Sequence, residues 1–239
     1  MKISIALATY NGSVYVKKQL VSINEQIIKP DEVIISDDGS TDNTIEIIKR
    51  FIQENNLKNW KVVINSGKWV VSNFHNSFKN TTGDIVVLCD QDDIWLPEKL
   101  QEKESAFKEN SNISVLNTSF KYIDENDKFI KAENKKGTSN NNLILHEIQE
   151  NATENIPLDL VINKNISPGM TMAGRKDIIK EYLKYSNNRS LHDFELNCVG
   201  ALFDGLYFYN KVLSYYRIHQ NQAVSIGNIK KKKKSWYIK

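Results

Sequence analysis

The chain has 239 residues, of which 40% are hydrophobic and 26% are charged, and its formal net charge is +3. These values are typical of a globular protein with a sizeable core, and they argue against intrinsic disorder. Five consecutive lysines at 230–234 carry much of the positive charge, so the rest of the chain is close to neutral. The balance therefore indicates neither a nucleic acid nor an acidic polymer as a partner.

Cysteine content and the apolar runs bear on location. Cys89 and Cys198 are the two cysteines, and Cys89 falls in a predicted buried strand, which favours free thiols in a reducing compartment. The first residues lead directly into an apolar strand, and no stretch approaches the roughly twenty apolar residues that span a bilayer. We expect a cytoplasmic protein, either soluble or peripheral on the inner face of the cell membrane.

Strands and amphipathic helices alternate from the start of the chain. Apolar strands are predicted at residues 2–9, 32–36 and 60–64, with helices of apolar periodicity between them. This rhythm predicts βαβ units and hence an α/β fold, a mostly parallel central sheet with helices on both faces. No linker rich in Pro, Gly or Ser divides the chain, so we expect one domain.

The remaining elements are predicted from shorter signals. Helices are expected at 70–79, 96–108, 175–185 and 191–201, with a short helix at 143–150, and a strand is expected at 113–123. Residues 206–209 and 212–217 predict a hairpin that turns at Asn210 and Lys211. Residues 124–166 show little periodicity, and we interpret them as a variable wall of the functional site.

An acidic cluster ends the most apolar strand. The run at 85–89 is followed by Asp90, Gln91, Asp92 and Asp93. Side chains alternate along a strand, so Asp90 and Asp92 are expected on the same side, where their charges repel unless a cation lies between them. Carboxylate oxygens suit Mg²⁺ or Mn²⁺. The alternative is that Asp92 or Asp93 caps a helix beginning near residue 96.

Polar residues follow three of the predicted strands. They lie at 9–12, 37–40 and 90–93, each at the carboxyl end of a strand. In a parallel sheet these ends share one edge, and ligands bind beyond that edge. The sequence therefore predicts one site that combines all three segments.

Five pieces of the sequence together resemble a known family. They are IALATYNG (5–12), IISDDGSTDNT (34–44), GDIVVLCDQDDIWLPEK (83–99), the His192 and Asp193 pair, and the group Tyr216, Arg217 and His219. The chain resembles the family 2 glycosyltransferases of GT-A fold, and among them the bacterial rhamnosyltransferase-type members that build cell-surface polysaccharide. The resemblance is dense over residues 2–125 and thinner over 166–225.

The resemblance implies one GT-A domain over residues 1–229. Its first half, about 1–125, would be Rossmann-like and bind the nucleotide sugar, its second half, 126–229, would bind the acceptor, and 230–239 would form a basic tail. The implied activity is an inverting, metal-dependent transfer of a sugar from a nucleoside diphosphate donor, dTDP-rhamnose or a UDP-sugar. The implied acceptor is a hydroxyl of a saccharide or a lipid-linked sugar.

Donor-binding residues follow from the same resemblance. Thr9, Tyr10 and Asn11 match positions that line the nucleotide pocket, and Arg217 is grouped with them. Asp38 matches the acid that reads the pyrimidine, since a carboxylate accepts from the N3–H that uracil and thymine carry. For residues 37–42 the alternative is a turn followed by a helix cap. Residues 73 and 74 match a pair that contacts the donor in the family.

Metal ligands and the base are also assigned by the resemblance. Asp92 matches the direct ligand of the family's DXD pair, and Asp90 would reach the ribose or the waters of the metal. His219 would approach the metal or the diphosphate, and the alternative is a structural histidine. Asp193 matches the catalytic base, with a plain helix cap as the alternative and Glu195 as the reserve base. His75, His146 and His192 are interpreted as structural.

Other functions remain open at this point. A sugar nucleotidyltransferase or a dinucleotide-dependent oxidoreductase would usually carry a Gly-rich phosphate loop after the first strand, and residues 9–13 contain one glycine. A nucleotide-sugar binding protein without turnover is a further alternative. The basic tail suggests either a solvated segment or a contact with anionic lipid, which contributes about 1 kcal/mol per lysine.

Overall fold

A computed structural model of the chain describes residues 1–67, 69–186, 190–220 and 222. The basic tail at 230–239, and with it the predicted membrane contact, lies outside these residues. The strands are β1 (Ile3–Thr9), β2 (Glu32–Asp37), β3 (Trp60–Ile64), β4 (Ile85–Asp90), β5 (Ile94–Trp95), β6 (Val115–Ile123), β7 (Phe129–Ile130), β8 (Thr153–Asn155), β9 (Ala173–Arg175) and β10 (Leu206–Arg217). The helices are α1 (Val16–Asn24), α2 (Thr44–Glu54), α3 (Val70–Asn80), α4 (Lys99–Glu109), α5 (Leu158–Val161), α6 (Lys176–Tyr185) and α7 (His192–Leu202).

One sheet contains all of these strands. Its order is β3-β2-β1-β4-β9-β6-β10-β5, with β7 beside β6 and β8 beside β10. The neighbours β3, β2, β1 and β4 are parallel, and β6 is parallel to β10. The short strand β9 is antiparallel to both β4 and β6, so the long strands on its two sides run in one direction. The predicted, mostly parallel α/β sheet is confirmed.

Helices cover both faces of the sheet. On one face, apolar side chains of α1, α2 and α4 pack against β1, β2 and β4, and on the other face α3, α6 and α7 pack in a second core cluster. Strand β1 shows why both faces are apolar, because Ile5 and Leu7 enter the first cluster and Ala6 and Ala8 enter the second.

The topology brings the predicted site segments to one edge. Thr9 pairs with Asp37 across β1 and β2, and Ala8 pairs with Asp90 across β1 and β4. Strand β10 ends at Arg217 at the same edge, since it runs parallel to β6 and therefore to β4. The carboxyl ends of four long strands thus surround one region of the surface.

The predicted hairpin at residues 206–217 is wrong. These residues form one twelve-residue strand, β10, that pairs with β6 in parallel, and the register shifts between Tyr209 and Val212. Asn210 and Lys211 lie in this irregularity instead of in a turn. A bulge absorbs the polar pair without reversing the chain, which is why the local turn signal was misleading.

Two helix predictions also require correction. Residues 143–150 contain no α-helix, because the preceding Asn140, Asn141 and Asn142 adopt left-handed φ values of 49, 56 and 67 degrees. Helix α4 begins at Lys99 with Glu98 at the N-cap position, since Leu96 still donates its N–H to the Leu213 carbonyl at 3.0 Å. Neither Asp92 nor Asp93 therefore caps α4.

None of the helices in the described ranges combines the length and apolar content that a membrane crossing requires.

A buried histidine joins α7 to α3. The His192 ring stacks on Phe74 with 3.9 Å between ring centroids, and a Cβ on Gly169 would lie 2.7 Å from His192 Nε2. Neither ring nitrogen has a hydrogen-bond partner in the described structure. Burial accordingly lowers the pKa of His192 to about 3, so the ring stays neutral in the folded protein.

This histidine should make the fold sensitive to acid. At pH values between the ordinary pKa of about 6.5 and the folded value, the unfolded chain binds a proton that the folded protein does not. The free energy of unfolding therefore decreases as the pH is lowered through this range. The loss reaches about 1.4 kcal/mol per pH unit. We expect His192→Leu to flatten this dependence in urea titrations at several pH values from 7 to 4.

The matched control is His146→Leu, because the His146 side chain is 40% exposed. His75 adds a loss of the same sign in every variant, since burial lowers the pKa of His75 to about 4. An equally steep dependence in His192→Leu and in wild type would show that His192 is not the acid-sensitive group.

Candidate active site

The loop after β1 is fastened to its neighbours by polar contacts. Gln91 Oε1 accepts from the Tyr10 N–H and Gln91 Nε2 donates to the Tyr10 carbonyl, both at 2.9 Å. Asn11 has a left-handed φ of 46 degrees, and its Oδ1 accepts from the Thr41 N–H at 2.8 Å. A Cβ on Gly12 would lie 2.1 Å from Gln91 Oε1, so this approach requires glycine. The three predicted loops therefore form one surface.

Thr9 and Tyr10 differ in their access to a ligand. Thr9 is buried and donates its hydroxyl to Asp37 Oδ2 at 2.7 Å, so it supports the second loop from below. Tyr10 is 49% exposed and Asn11 is also exposed, so both present atoms to the site.

The acids of the second loop, residues 37–42, make different contacts. Asp37 Oδ1 accepts from the N–H groups of Gly39 and Ser40 at 3.0 and 2.7 Å, and Asp42 accepts from the Thr44 N–H at 3.0 Å. Asp37 thus makes the turn and Asp42 serves the start of α2. The turn-and-cap alternative holds for these two acids and leaves Asp38 outside it.

Asp38 lies partly buried between groups that the sequence analysis did not identify. Its Oδ1 accepts from Asn65 Nδ2 at 2.7 Å, and its Oδ2 accepts from the Trp69 N–H at 3.0 Å. The Trp69 side chain is 44% exposed beside it. Asn65 follows β3, so the parallel pairing of β2 and β3 was the signal that could have placed it next to Asp38.

The carboxyl groups of the acidic cluster lie close together, and two of them have raised pKa values. Burial, together with the nearby carboxylates of Asp92 and Asp193, raises the pKa of Asp90 to about 8. Burial also raises the pKa of Asp93, whose Oδ1 accepts from the Arg217 N–H at 2.9 Å. Asp92 Oδ2 lies 2.7 Å from His219 Nε2. The predicted neighbours Asp90, Asp92 and His219 thus lie in one region.

Arg217 is enclosed by the protein. It is 1% exposed, and its Nε donates to the Asp92 carbonyl at 2.7 Å while its Nη1 donates to the Asp124 carbonyl at 2.9 Å. Its guanidinium lies 4.7 Å from the centroid of the Tyr15 ring. Arg217 therefore fixes the acidic loop from behind.

Asp193 lies at the start of α7 without capping it. Leu191 occupies the N-cap position, and Asp193 Oδ1 accepts from the Phe194 N–H at 2.7 Å. Burial raises the pKa of Asp193 to about 6, while the Phe194 amide, the Asn165 side chain and the Gly169 amide oppose this rise. Residues 169–172 join the two segments, since Gly169 lies against His192 at the start of α7 and the Leu88 N–H of β4 donates to the Met172 carbonyl at 3.1 Å. Glu195 instead hydrogen-bonds to the Ser186 hydroxyl.

Two buried lysines support the site, and sequence reasoning missed both. Lys99 Nζ donates to the Met170 carbonyl at 2.6 Å and to Ser214 Oγ at 2.7 Å, and Lys103 Nζ donates to the Thr171 carbonyl at 2.7 Å. Burial lowers the pKa of Lys99 to about 7, whereas the charges of Cys89, Asp93 and Asp90 raise it. The signal was their spacing of four residues, which places both on the buried face of α4.

The residues could supply part of the ligand shell of a divalent cation. Asp90 and Asp92 supply hard oxygen atoms, and their mutual repulsion is what a cation would relieve. Within the described ranges, no group of three or more His, Cys, Asp or Glu side chains forms a metal site by itself. Mg²⁺ commonly takes one or two carboxylates and completes its shell with phosphate oxygens and water. The arrangement therefore suits a cation that arrives with a diphosphate.

Comparison with solved structures identifies the fold. Residues 1–349 of TarS from S. aureus, solved with UDP-GlcNAc, superpose with a TM-score of 0.69 at 20% identity, covering 95% of this chain and 62% of that one. The mannosyltransferase PcManGT from Pyrobaculum calidifontis, solved with GDP-Man and Mn²⁺, gives a TM-score of 0.61 at 14% identity, covering 92% and 58%.

Sequence relatives agree with the structures. A dTDP-rhamnosyl transferase of Shigella flexneri, RfbG, is 35% identical over 99 residues, covering 40% of this chain and 34% of its own length. An uncharacterized glycosyltransferase of Nostoc sp., alr2836, is 32% identical over 137 residues, covering 57% and 42%. The chain thus spans less than half the length of these relatives. The model of Glycosyl transferase family 2 matches residues 4–183, so the chain belongs to glycosyl transferase family 2.

Proposed function

We propose that this chain is the catalytic unit of an inverting, metal-dependent glycosyltransferase. The donor would be a nucleoside diphosphate sugar and the acceptor a hydroxyl of a saccharide or lipid-linked sugar. The observation that carries the proposal is that residues 169–172 contact both the start of α7, which carries Asp193, and β4, which ends at Asp90, at the carboxyl edge of the sheet. A candidate base and a candidate diphosphate site lie together there, as transfer to a hydroxyl requires.

The donor half is supported by Asp38 and its neighbours. Asp38 is a partly buried carboxylate just after the carboxyl end of β2, and a carboxylate oxygen can accept the N3–H of uracil or thymine. Exposed Tyr10 offers a ring face for the base. These features favour a UDP or dTDP donor, and RfbG, a dTDP-rhamnosyl transferase, is the relative that suggests rhamnose. A role in cell-surface polysaccharide synthesis is proposed on the same ground.

The chemistry divides between two groups of carboxylates. Asp92 and Asp90 would hold Mg²⁺ or Mn²⁺, with His219 within 2.7 Å of Asp92. When bound, the cation would neutralise the charge of the leaving diphosphate. Asp193 would take the proton of the acceptor hydroxyl, and its raised pKa makes it a stronger base than an exposed carboxylate. Arg217 would keep the Asp92 main chain in place during transfer.

Replacing the proposed metal ligand should stop transfer. We expect Asp92→Asn to lower the transfer rate with Mn²⁺ by about 100-fold or more, because several kcal/mol of charge stabilisation would be lost. Sugar release from a panel of nucleotide sugars measures this, and circular dichroism checks the fold. Asp84→Asn is the matched control, since Asp84 is an exposed acid at the opposite end of β4. Wild-type turnover in Asp92→Asn would reject the assignment.

Replacing the proposed base should separate binding from chemistry. We expect Asp193→Asn to lower transfer by about 100- to 10,000-fold, since a general base contributes that much, and to leave donor binding intact in calorimetry. In the wild type, kcat/KM should fall as pH drops through about 6, where Asp193 becomes protonated, and a bound cation would move this limb to lower pH.

The control for this variant is Asp177→Asn. Asp177 is the second residue of α6, as Asp193 is of α7, and its Oδ1 likewise accepts from the next N–H, at 2.8 Å, but it is exposed. It should behave as wild type. Full transfer by Asp193→Asn would mean that another group takes the proton.

A further inference from the structure

Three asparagines form a chain of side-chain hydrogen bonds behind Asp193. Asn117 Nδ2 donates to Asn197 Oδ1 at 2.7 Å, and Asn197 Nδ2 donates to Asn165 Oδ1 at 2.9 Å. Asn117 lies on β6, Asn197 lies on α7, and Asn165 lies between α5 and β9. Asn117 and Asn197 are fully buried, and Asn165 is partly buried.

The chain points towards Asp193. In each link the carbonyl oxygen of an amide accepts from one neighbour, and its NH₂ group is left to donate to the next. The last NH₂ belongs to Asn165, whose side chain lies beside the Asp193 carboxylate and lowers the pKa of Asp193. Asn197 and Asp193 lie four residues apart on α7, so they share one face of this helix. Hydrogen bonds aligned in this way strengthen one another.

Burying these polar amides among the apolar side chains of the second core cluster costs free energy. That cluster consists of apolar side chains from β6, α7 and β10, including Val115, Leu196 and Leu206. A buried amide is tolerated when its hydrogen bonds are made, and a partly satisfied network destabilises the fold. The three asparagines therefore form one series of amides that ends beside the Asp193 carboxylate.

We propose that Asn117, Asn197 and Asn165 are positioning residues that hold the Asp193 carboxylate in the orientation in which it accepts the proton of the acceptor hydroxyl. This inference rests on the proposed function of Asp193 as the base. The Phe194 N–H donates to Oδ1 of Asp193 at 2.7 Å, and the Asn165 amide, which Asn197 holds at 2.9 Å, lies beside the same carboxylate. Breaking the chain should therefore misplace the base and leave the donor loops intact.

Charged and titratable groups other than the three asparagines also interact with Asp193. Asp90 on β4 and Tyr182 on α6 interact electrostatically with it, and Glu195 on α7 joins it in acting on Tyr182. The asparagines carry no charge, so their removal acts through hydrogen bonding alone. Loss of a hydrogen bond to the ionised form raises the pKa of a carboxyl group.

The test compares Asn197→Leu and Asn165→Ala with Asn210→Ala. Leu has the same number and branching of side-chain heavy atoms as Asn, and Asn197→Leu removes both hydrogen bonds that Asn197 makes in the chain. Asn165→Ala removes the last asparagine at a partly buried position, where a substitution disturbs folding less. Asn210 is the control because it is also partly buried, and its side chain donates to the Ile148 carbonyl at 2.7 Å, outside the chain. Circular dichroism confirms that each variant is folded.

Two readouts are needed. The first is the pKa of Asp193 in the full chain without donor, from ¹³C carboxyl titration by NMR, with the signal assigned by its loss in Asp193→Asn. The second is kcat and donor KM for transfer. We expect the pKa of Asp193 to rise and kcat to fall by about 10- to 100-fold in both network variants, with donor KM within about twofold of wild type. Asn210→Ala should match wild type in both.

The outcomes separate this inference from the proposed function. If both network variants keep the wild-type pKa of Asp193 and the wild-type kcat while Asp193→Asn is inactive, the positioning role is wrong and the base assignment stands. If the pKa rises but kcat does not change, the chain does not position a catalytic group, and the inference is overturned. If Asp193→Asn transfers sugar at the wild-type rate, the base assignment itself fails.

Discussion

The site depends on keeping several carboxylates close together inside the protein. Asp90 and Asp193 both have pKa values raised chiefly by burial, and each carboxylate added to the region raises the cost of ionising the others. Lys99, Lys103 and Arg217 are fully buried on the other side of this region. Burial lowers the pKa of Lys99 to about 7 and the pKa of Lys103 well below its ordinary value, so the two lysines act beneath the acids as hydrogen-bond donors.

These three buried side chains also donate hydrogen bonds to main-chain carbonyls. Lys99 and Lys103 donate to the carbonyls of Met170 and Thr171, in the turn whose Gly169 amide stabilises the Asp193 carboxylate. Arg217 donates to the carbonyls of Asp92 and Asp124. Each of these hydrogen bonds offsets part of the cost of burying its donor and fixes a loop. The same side chains therefore help to set the geometry of the acids.

The sequence predicted the features that local patterns determine. Apolar runs ended by turn residues gave the parallel strands, and parallel strands require Thr9, Asp37 and Asp90 to share one edge. Features that depend on distant partners were not predictable in this way. Lys99 and Lys103 are of a residue type that is almost always exposed, and only tertiary packing shows that their face of α4 is covered. The bulge at residues 210–211 mimicked a turn because the partner strand, β6, lies about ninety residues earlier.

The donor side and the base side of the site are built by different means, and this difference follows from the topology. On the donor side, loops after β1, β2 and β4 come from adjacent parallel strands, so short contacts such as that of Gln91 with Tyr10 connect them directly. Asp193 comes from a helix whose neighbours in the sheet, β6 and β10, lie beyond the intervening strand β9. The asparagine chain from β6 joins this helix to the sheet. The separation of the two groups of carboxylates is therefore set by the spacing of the strands between them.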